Sequence, residues 1–354
     1  MSRLTTAMLA AAAFVAAPLL AQPVPDDGTG DGREQVRGDE ITPESRDAVE
    51  RGLEWLASQQ RPDGGFGDVS GGTAYTSVAA IAMMSAGHLP NRGKYGQNVA
   101  QAVDYVLSKA EPSGLLCPET TQAAMYHHGF AALLLGEVYG MTGDDRIKEP
   151  LRRAVQLIEQ SQNSEGGWRY DPVPIQADIS VTICQVMALR AARDSGIKVE
   201  KQVIDNAVEY VRKCQNSDGG FNYMLGRGNN SGFARSAAGV ATLYYAGISE
   251  GDEIDNGLEY ILRHVPDGPV GGRAPHYYYG QYYAAQATFL AGGEAWATWF
   301  PAIREQLVSS QQADGRWNGD QDRGVDTYST AMALIVLQMP NRYLPVFSGK
   351  GPGA

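Results

Sequence analysis

The sequence is poor in cysteine and in basic residues. Three cysteines, an odd number, allow at most one disulfide, so we do not expect disulfide bonds to hold the fold together. Lys and Arg number 29 against 40 Asp and Glu, which gives a formal net charge of −11. An acidic chain without a basic cluster offers no surface for a phosphate backbone, and this argues against a nucleic-acid partner.

Residues 1–21 have the features of a secretory signal. Arg3 precedes an apolar run over Met8–Leu20, and Leu19-Leu-Ala21 offers a small-residue cleavage site. The run is too short and too rich in alanine to predict a transmembrane span. We therefore expect export to the periplasm or the extracellular space. Residues 22–44 follow as a polar, glycine- and acid-rich linker that we expect to be disordered.

One short turn motif, a Gln followed by Asp-Gly-Gly and an aromatic residue, recurs along the chain. Four close copies and two weaker ones follow one another with a period of about 50 residues, so the chain contains six units. The glycines can adopt a positive φ where the preceding helix stops, and the Gln can bond backbone groups at helix ends. The close copies lie at residues 59–66, 162–168, 214–221 and 311–317, and the weaker ones at 112–115 and 266–270.

Each unit combines two kinds of helix. The helix before the turn is amphipathic: in the third unit Leu151, Val155 and Ile158 form an apolar stripe, and Arg152 and Arg153 lie on the charged face. The helix after the turn is apolar nearly all round and rich in small residues, so it must be covered on both sides. These second helices are predicted at residues 76–87, 126–139, 179–192, 234–246, 280–291 and 327–339.

Six helices that are hidden on both sides predict a closed ring. An open stack would leave terminal repeats to be capped, whereas closure removes them. We therefore predict an all-α fold, an (α/α)6 toroid with an inner barrel of six helices and an outer layer of six. The toroid is expected to form a single domain over residues 45–340, followed by a C-terminal tail at residues 341–354.

The repeated unit resembles that of the terpenoid cyclases and protein prenyltransferases, the superfamily that includes squalene–hopene cyclases and prenyltransferase β-subunits. Trp55, Gln59, Gly64 and Phe66 follow the Gln–Trp repeat of the cyclases, with Phe in place of the final Trp. Complement-type thioester domains share the same ring. The resemblance covers about residues 45–340, and it implies the toroid fold.

The acid motif that this resemblance implies is incomplete. Squalene-type cyclases begin an inner helix with Asp-x-Asp-Asp-Thr-Ala, whose middle Asp protonates the polyene. The best matches here begin at Asp326 and Asp178, and Tyr328 and Ser180 stand where that middle acid should be. A hydroxyl group cannot protonate an alkene. Asp178 and Asp326 are therefore weak catalytic candidates, and a helix N-cap is the other interpretation of each.

The metal and thioester motifs of the superfamily are also incomplete. Prenyltransferase β-subunits bind zinc through an Asp-x-Cys pair and a His that follows a Tyr. Tyr126-His127 resembles the His segment, but Ser180 and Tyr328 stand where the Cys would be, so we predict no metal and no cofactor. Cys117-Pro-Glu-Thr-Thr-Gln122 does not match the Cys-Gly-Glu-Gln run of thioester domains.

The loops that enter the inner helices surround one mouth of a toroid, so ligand contacts are expected there. Two adjacent histidines are either structural or in contact with a ligand or metal. The tyrosines of residues 277–283 form either aromatic core or a cavity wall. Arg235 is costly to bury alone, so an acidic partner or an anionic ligand is expected. The candidate ligand contacts are His127, His128, Arg235, Tyr278, Tyr279 and Tyr328.

Three functions fit these features. We predict an exported toroid that binds an extended apolar or saccharide ligand, or a protein partner, at the barrel mouth. The first alternative is an isoprenoid cyclase or transferase with a displaced catalytic acid. The second is a carbohydrate-active hydrolase or lyase, which rests on fold analogy. A tyrosine-lined mouth favours sugars, and an all-aliphatic barrel favours isoprenoids.

The lining of the central cavity separates these functions. Two carboxylates about 5–10 Å apart across the cavity would favour glycoside hydrolysis. A buried carboxylic acid above a deep aromatic pocket would favour cyclisation. A barrel filled by side chains, with a groove only at its rim, would favour binding without chemistry.

Overall fold

The structure, a computed structural model, describes residues 40–67, 72–228, 230–268, 275–319 and 325–348. Within these ranges the chain forms twelve α-helices and two short 3-10 helices, and no strand longer than an isolated bridge. The predicted signal segment 1–21 and the predicted linker up to residue 39 lie outside the described residues. The α-helices are α1 (Pro43–Ser58), α2 (Gly72–Ser85), α3 (Gly96–Ser108), α4 (Ala124–Thr142), α5 (Asp145–Ser161), α6 (Ile179–Asp194), α7 (Lys201–Cys214), α8 (Phe233–Ala246), α9 (Asp252–Leu262), α10 (Tyr277–Ala291), α11 (Gly293–Ser310) and α12 (Asp326–Leu337).

The even-numbered helices form the inner barrel. Each packs against the next, from α2 to α12, and α12 returns to α2. In α2 every residue except Tyr75 is buried, as expected of a helix covered on both sides. The predicted (α/α)6 toroid is therefore confirmed.

The odd-numbered helices form the outer layer, each with one apolar face. In α5 Leu151, Val155 and Ile158 are buried, and Arg152 pairs with Glu149 on the exposed face. Helix α11 contacts α1, so the outer layer closes as well. None of the described helices combines the length and the apolar character needed to cross a membrane.

The turns between the two helices of a unit require glycine. Gly166 has a φ of +102°, and a Cβ atom on it would lie 2.2 Å from the backbone oxygen of Asn206 in α7. Only glycine accepts both the left-handed conformation and the close approach of the next outer helix. The same two conditions hold at Gly64, Gly114, Gly219 and Gly315.

The glutamine of the turn motif joins neighbouring units. Gln162 Nε2 donates to the backbone oxygen of Gly166 in its own turn at 2.9 Å and to that of Val203 in α7 at 2.8 Å. One acceptor lies in the turn itself and the other in the first turn of the next outer helix, so one amide bonds to both units. Gln60, Gln215 and Gln311 repeat this pair of bonds in their own units.

The end of the described chain packs against the inner barrel at the far end from the mouth. Two 3-10 helices, Met339–Asn341 and Pro345–Ser348, follow α12. Val346 and Phe347 are buried, and the Phe347 ring lies 6.5 Å from that of Tyr282 in α10. Residues 341–348 of the predicted tail are thus packed on the toroid. The three cysteines are buried, and no disulfide joins them.

Candidate functional site

A cavity of about 720 Å³ opens where the inner helices begin, at the mouth that the sequence predicts. The start of each inner helix from α4 to α12 contributes a residue to its wall, and the turns before α6 and α8 contribute two more. The wall is mainly aromatic, with Phe233 and six tyrosines. These tyrosines are Tyr126, Tyr170, Tyr223, Tyr277, Tyr279 and Tyr328.

Two chains of hydroxyl groups lead from the cavity wall to Asp178. On one side Tyr126 donates to Ser180 Oγ at 2.7 Å, and Ser180 donates to Asp178 Oδ1 at 2.7 Å. On the other side the hydroxyls of Tyr170 and Tyr223 are 2.6 Å apart, and Tyr223 donates to Asp178 Oδ2 at 3.2 Å. The carboxylate is therefore connected to the cavity without being part of its surface.

Asp178 itself is fully buried and caps α6. Its Oδ1 accepts from the backbone N–H of Val181 at 2.9 Å, which is the N-cap bond. Burial raises the pKa of Asp178, and the hydrogen bonds from Ser180 and Val181, with the charge of Arg169, act in the opposite direction. The N-cap interpretation and the connection to the cavity thus hold for the same side chain.

Asp326 does not line the cavity, and the N-cap interpretation is wrong for it because Val325 holds the N-cap position. It is the first residue of α12; its Oδ1 accepts from the backbone N–H of Gly319 at 2.8 Å, and its Oδ2 lies 3.1 Å from Arg316 Nε. Its side chain is 37 % exposed. The two residues that replace the family acid, Ser180 and Tyr328, do line the cavity.

The two candidate histidines occupy different environments, and neither lines the cavity. His128 is fully buried: the N–H of Leu116 donates to Nδ1 at 3.2 Å, and Nε2 lies 3.2 Å from the backbone oxygen of Ala154. Burial lowers the pKa of His128 to about 4, so the ring is neutral at pH 7. His127 lies beside Thr73 and the N–H of Ala74, each 3.4 Å from its Nδ1.

His128 performs the role that hydroxyl residues perform in four other units. In those units the N–H of the residue that closes the turn donates to a Thr or Ser one turn into the inner helix. In the second unit Leu116 closes the turn and His128 supplies the acceptor. The residues in the other units are Thr76, Thr182, Ser236 and Thr330.

The remaining candidate residues divide between wall and core. Tyr279 and Tyr328 line the cavity, and the Tyr279 hydroxyl donates to the Ser180 backbone oxygen at 3.0 Å. Arg235 also lines it, and its guanidinium donates to the backbone oxygens of Phe221 and Asn230 rather than to a carboxylate. Tyr278 is buried, edge-on to the Tyr277 ring.

Sequence reasoning missed five polar residues of the wall: His264, Asp267, His276, Gln281 and Gln306. His264 stands four residues before Gly268, where the close copies of the turn motif carry their glutamine. Gln306 of α11 supplies the missing bond, and its Nε2 donates to the Gly268 oxygen at 2.7 Å. Gln281 is buried, and its Oε1 has no hydrogen-bond partner among the described residues. The broken motif of the fifth unit was the signal for His264, because the cavity opens beside it.

The described residues contain no group of three or more His, Cys, Asp or Glu side chains arranged to hold a metal ion. Asp267 is the one carboxylate among the described residues that line the cavity. The site therefore combines aromatic surface with one arginine, one carboxylate and several neutral polar groups.

Comparisons with known proteins agree with this architecture. Among curated proteins, the chain is 26% identical over 306 residues to a drimenyl diphosphate synthase of Streptantibioticus cattleyicolor, covering 83% of this chain and 48% of the relative. It is 28% identical over 193 residues to the drimenyl diphosphate synthase of Streptomyces showdoensis, covering 52% and 35%. The chain thus spans less than half the length of these curated relatives.

Two kinds of solved structure share the fold. An α-1,6-mannanase of Salegentibacter sp. HEL1_6, solved with α-1,6-mannotriose, has a TM-score of 0.63 at 9% identity, over 84% of this chain and 99% of that one. A variant of the type II terpene cyclase MstE from Scytonema, solved with geranylgeranyl dihydroxybenzoate, has a TM-score of 0.58 at 15% identity, over 85% and 98%. At these identities the likeness shows the fold alone.

The family comparison goes further than the fold. The family model described as a prenyltransferase alpha-alpha toroid domain matches residues 34–115 and 94–275, which is more than half of the chain. The matched part includes the first five turns, the bonds of Gln60, Gln162 and Gln215, and the starts of α2, α4, α6 and α8. The chain belongs to the prenyltransferase alpha-alpha toroid domain family.

Proposed function

We propose that this chain binds an extended isoprenoid ligand in the tyrosine-lined cavity and does not cyclise it by the acid mechanism of the squalene-type enzymes. The observation that carries the proposal is the wall itself: seven aromatic rings around about 720 Å³, with Ser180 and Tyr328 in place of the acid. Ring faces and edges provide a large apolar contact area for a hydrocarbon chain. By name both curated relatives are drimenyl diphosphate synthases, and drimenyl diphosphate is an isoprenoid.

From the sequence we expected a tyrosine-lined mouth to favour sugars, but the hydrogen bonds of the wall tyrosines support an isoprenoid instead. The hydroxyls of Tyr126, Tyr170, Tyr223 and Tyr279 are all engaged with protein groups, so the rings rather than the hydroxyls are available to a ligand. Glycoside hydrolysis uses a pair of carboxyl groups that flank the scissile bond. Asp178 lies behind the wall, which leaves Asp267 as the one described carboxylate at the cavity.

Equilibrium binding of geranylgeraniol to the purified chain tests this function. Tyr279→Phe and Tyr328→Phe are expected to retain the ligand, whereas Tyr279→Ala and Tyr328→Ala weaken binding by about tenfold each, because a ring's apolar area is lost. Tyr343→Ala is the matched control, because Tyr343 is 54% exposed away from the mouth. The proposal would be overturned if the chain binds mannotriose but not geranylgeraniol. It would also be overturned if the chain binds a protein partner and neither small ligand.

A second candidate function, acid-catalysed conversion of the isoprenoid, rests on Asp178. This carboxyl is buried beside a deep aromatic cavity, its pKa is raised by burial, and two chains of hydroxyls connect it to the cavity. Incubation with squalene and with geranylgeranyl diphosphate, followed by product analysis, separates the two candidates. A product that wild type forms and Asp178→Asn does not would favour conversion, and unchanged ligand in both would favour binding alone.

We also propose that the chain acts outside the cytoplasm. The signal-like features of residues 1–21 support this location. Expression of the full chain, followed by cell fractionation and N-terminal sequencing of the product, tests it. Cleavage after Ala21 is the expected result, and an uncleaved cytoplasmic chain would contradict it.

A further inference from the structure

Two tyrosine rings cross the inside of the barrel beneath the tyrosine-lined cavity. Tyr279 and Tyr283 both belong to α10, and Tyr283 lies about 6 Å farther from the mouth because it follows one helical turn later. The Tyr279 hydroxyl donates to the backbone oxygen of Ser180 at 3.0 Å, and the Tyr283 hydroxyl lies 3.4 Å from Cys184 Sγ. Ser180 and Cys184 belong to α6, which α8 separates from α10 in the ring. Each tyrosine therefore spans the space between two helices that are not neighbours.

The two rings lie one behind the other as seen from the mouth. Tyr279 lines the cavity, and its ring centre lies 4.7 Å from that of Tyr283, with an angle of 65° between the planes. Tyr283 is fully buried, so it lies behind the cavity wall and is not part of its surface. Tyr279 therefore closes the cavity at this point, and Tyr283 supports it from beneath.

Three other inner helices are also filled at the level of Tyr283. Four wall residues stand near the starts of α4, α6, α10 and α12, and in each helix the residue four positions later faces the same side. All four of these later residues are buried, and we call them the floor of the cavity. The wall residues are Tyr126, Ser180, Tyr279 and Tyr328, and the floor residues beneath them are Phe130, Cys184, Tyr283 and Met332. Tyr283 is the floor residue that reaches across the barrel, because its hydroxyl meets Cys184.

The neighbouring residue Tyr282 fills the barrel below the floor. It is fully buried as well, and its ring centre lies 4.8 Å from that of Tyr283. Its ring also lies 6.5 Å from that of Phe347, which belongs to the segment packed on the far end of the barrel. Tyr282 and Tyr283 therefore have the same size and burial, but Tyr283 is the one that lies against the cavity wall.

We propose that Tyr283, with the Tyr279 ring above it, sets the depth of the cavity and thereby the longest isoprenoid chain that the cavity holds. This inference rests on the function proposed above. Each isoprene unit that enters the cavity adds buried apolar area, whereas units that remain outside the mouth add little. Removal of the Tyr283 ring leaves apolar space for about one more unit, since an apolar cavity on the order of 150 Å³ holds benzene.

Equilibrium binding of a series of all-trans prenols to the purified full chain tests this proposal. The series runs from geraniol to hexaprenol, and each member adds one isoprene unit. For wild type we expect the affinity to rise by about tenfold per unit until the chain reaches the floor, and by less than about twofold per unit beyond that. We call the chain length at which the rise stops the limiting length.

The variants are compared in a Tyr279→Phe background, which frees the upper ring from the Ser180 oxygen so that it can turn into vacated space. Adding Tyr283→Ala should increase the limiting length by one isoprene unit. The first prenol beyond the former limit should gain at least about tenfold in affinity. Adding Tyr282→Ala is the matched control. It removes a ring of the same size from below the floor, and the limiting length should stay that of Tyr279→Phe alone.

Circular dichroism shows whether each variant is folded. If the variant with Tyr283→Ala does not fold, Tyr283→Leu replaces it in the same background. Leucine leaves more side chain in place, so the first prenol beyond the former limit should gain about threefold or more.

The proposal is overturned if the limiting length is the same with and without the substitution at Tyr283, or if Tyr282→Ala increases it equally. It is also overturned if the affinity of wild type rises without a limit up to hexaprenol. In each of these cases prenols still bind, so the function proposed above stands. If wild type binds no prenol of any length, that function is wrong and this inference is wrong with it.

Discussion

The side-chain amide of Gln311 donates a hydrogen bond of 2.8 Å to the backbone oxygen of Ala48, and this bond joins the sixth unit of the ring to the first. The same amide donates to the Gly315 oxygen at 2.8 Å. An identical pair of bonds joins the third unit to the fourth through Gln162. The closure of the ring therefore uses the same contact as an ordinary junction between consecutive units.

Gln311→Ala is expected to lower the free energy of unfolding by about 2 kcal/mol, because the two half-buried hydrogen bonds to the Ala48 and Gly315 oxygens are lost. Gln162→Ala should cost a similar amount, since its bonds are the same. Urea denaturation measures both. Gln59→Ala is the control: among the described residues its exposed amide bonds to Ser58 alone, and a change within about 0.5 kcal/mol is expected. A Gln311→Ala variant as stable as this control would contradict the role of the bond.

Gly166→Ala is expected to destabilise the fold by about 3 kcal/mol or more, because a Cβ atom would meet the Asn206 oxygen in addition to the strain of a positive φ. Gly143→Ala provides a matched comparison. Gly143 has a φ of +67° and nothing within 4 Å of the added Cβ, so it tests the strain alone, about 1 kcal/mol. Thermal unfolding measures how much stability each variant loses relative to wild type. Equal losses in the two variants would argue against close approach of the next helix at Gly166.

His128 is expected to make the fold sensitive to acid. Its pKa is lowered by burial from 6.5 to about 4, so the unfolded chain binds a proton at a higher pH than the folded chain. Stability from this group is therefore lost as pH falls from about 6.5 to about 4, by roughly 3 kcal/mol in total. Denaturation at several pH values measures the slope of the free energy of unfolding against pH, which we call the acid slope.

His128→Thr introduces the residue type found at this position in three other units and should flatten the acid slope, whatever its effect at pH 7. His127→Gln should keep the slope of wild type. An unchanged slope in His128→Thr would show that His128 is not the group responsible.

Glu137 is expected to act in the opposite direction. Burial in α4 raises the pKa of Glu137 from 4.5 to about 8, and its Oε2 accepts from the backbone N–H of Val346 at 3.4 Å. The folded chain retains a proton that the unfolded chain releases, so stability falls as pH rises from about 4.5 to about 8. Glu137→Gln should therefore be more stable than wild type at pH 8, by roughly 4 kcal/mol at most. Glu149→Gln, an exposed site, should show no such gain at that pH.

The architecture could be read from the sequence because each unit repeats the same local rules. The positive φ of Gly166 and the amphipathic face of α5 are decided by a few neighbouring residues. Ring closure followed from a single physical condition, that six helices such as α2 have no polar face to expose.

The site was predicted in part. Tyr279, Tyr328 and Arg235 line the cavity as expected, because they stand at the starts of inner helices. His128 starts an inner helix too, but whether a side chain at that level points into the cavity or back to its own turn depends on packing between units. Tyr170 and Tyr223 come from the turns, and only the assembled ring brings their hydroxyls within 2.6 Å.

The junction that closes the ring is built like the junction between the third and fourth units, so no unit has to come first in the chain. The bond from Gln311 to Ala48 links the two ends of the toroid as firmly as Gln162 links its middle. A circularly permuted gene that opens the chain at the loop between α6 and α7, and joins the present ends by a linker, should encode a protein with the same barrel and the same mouth.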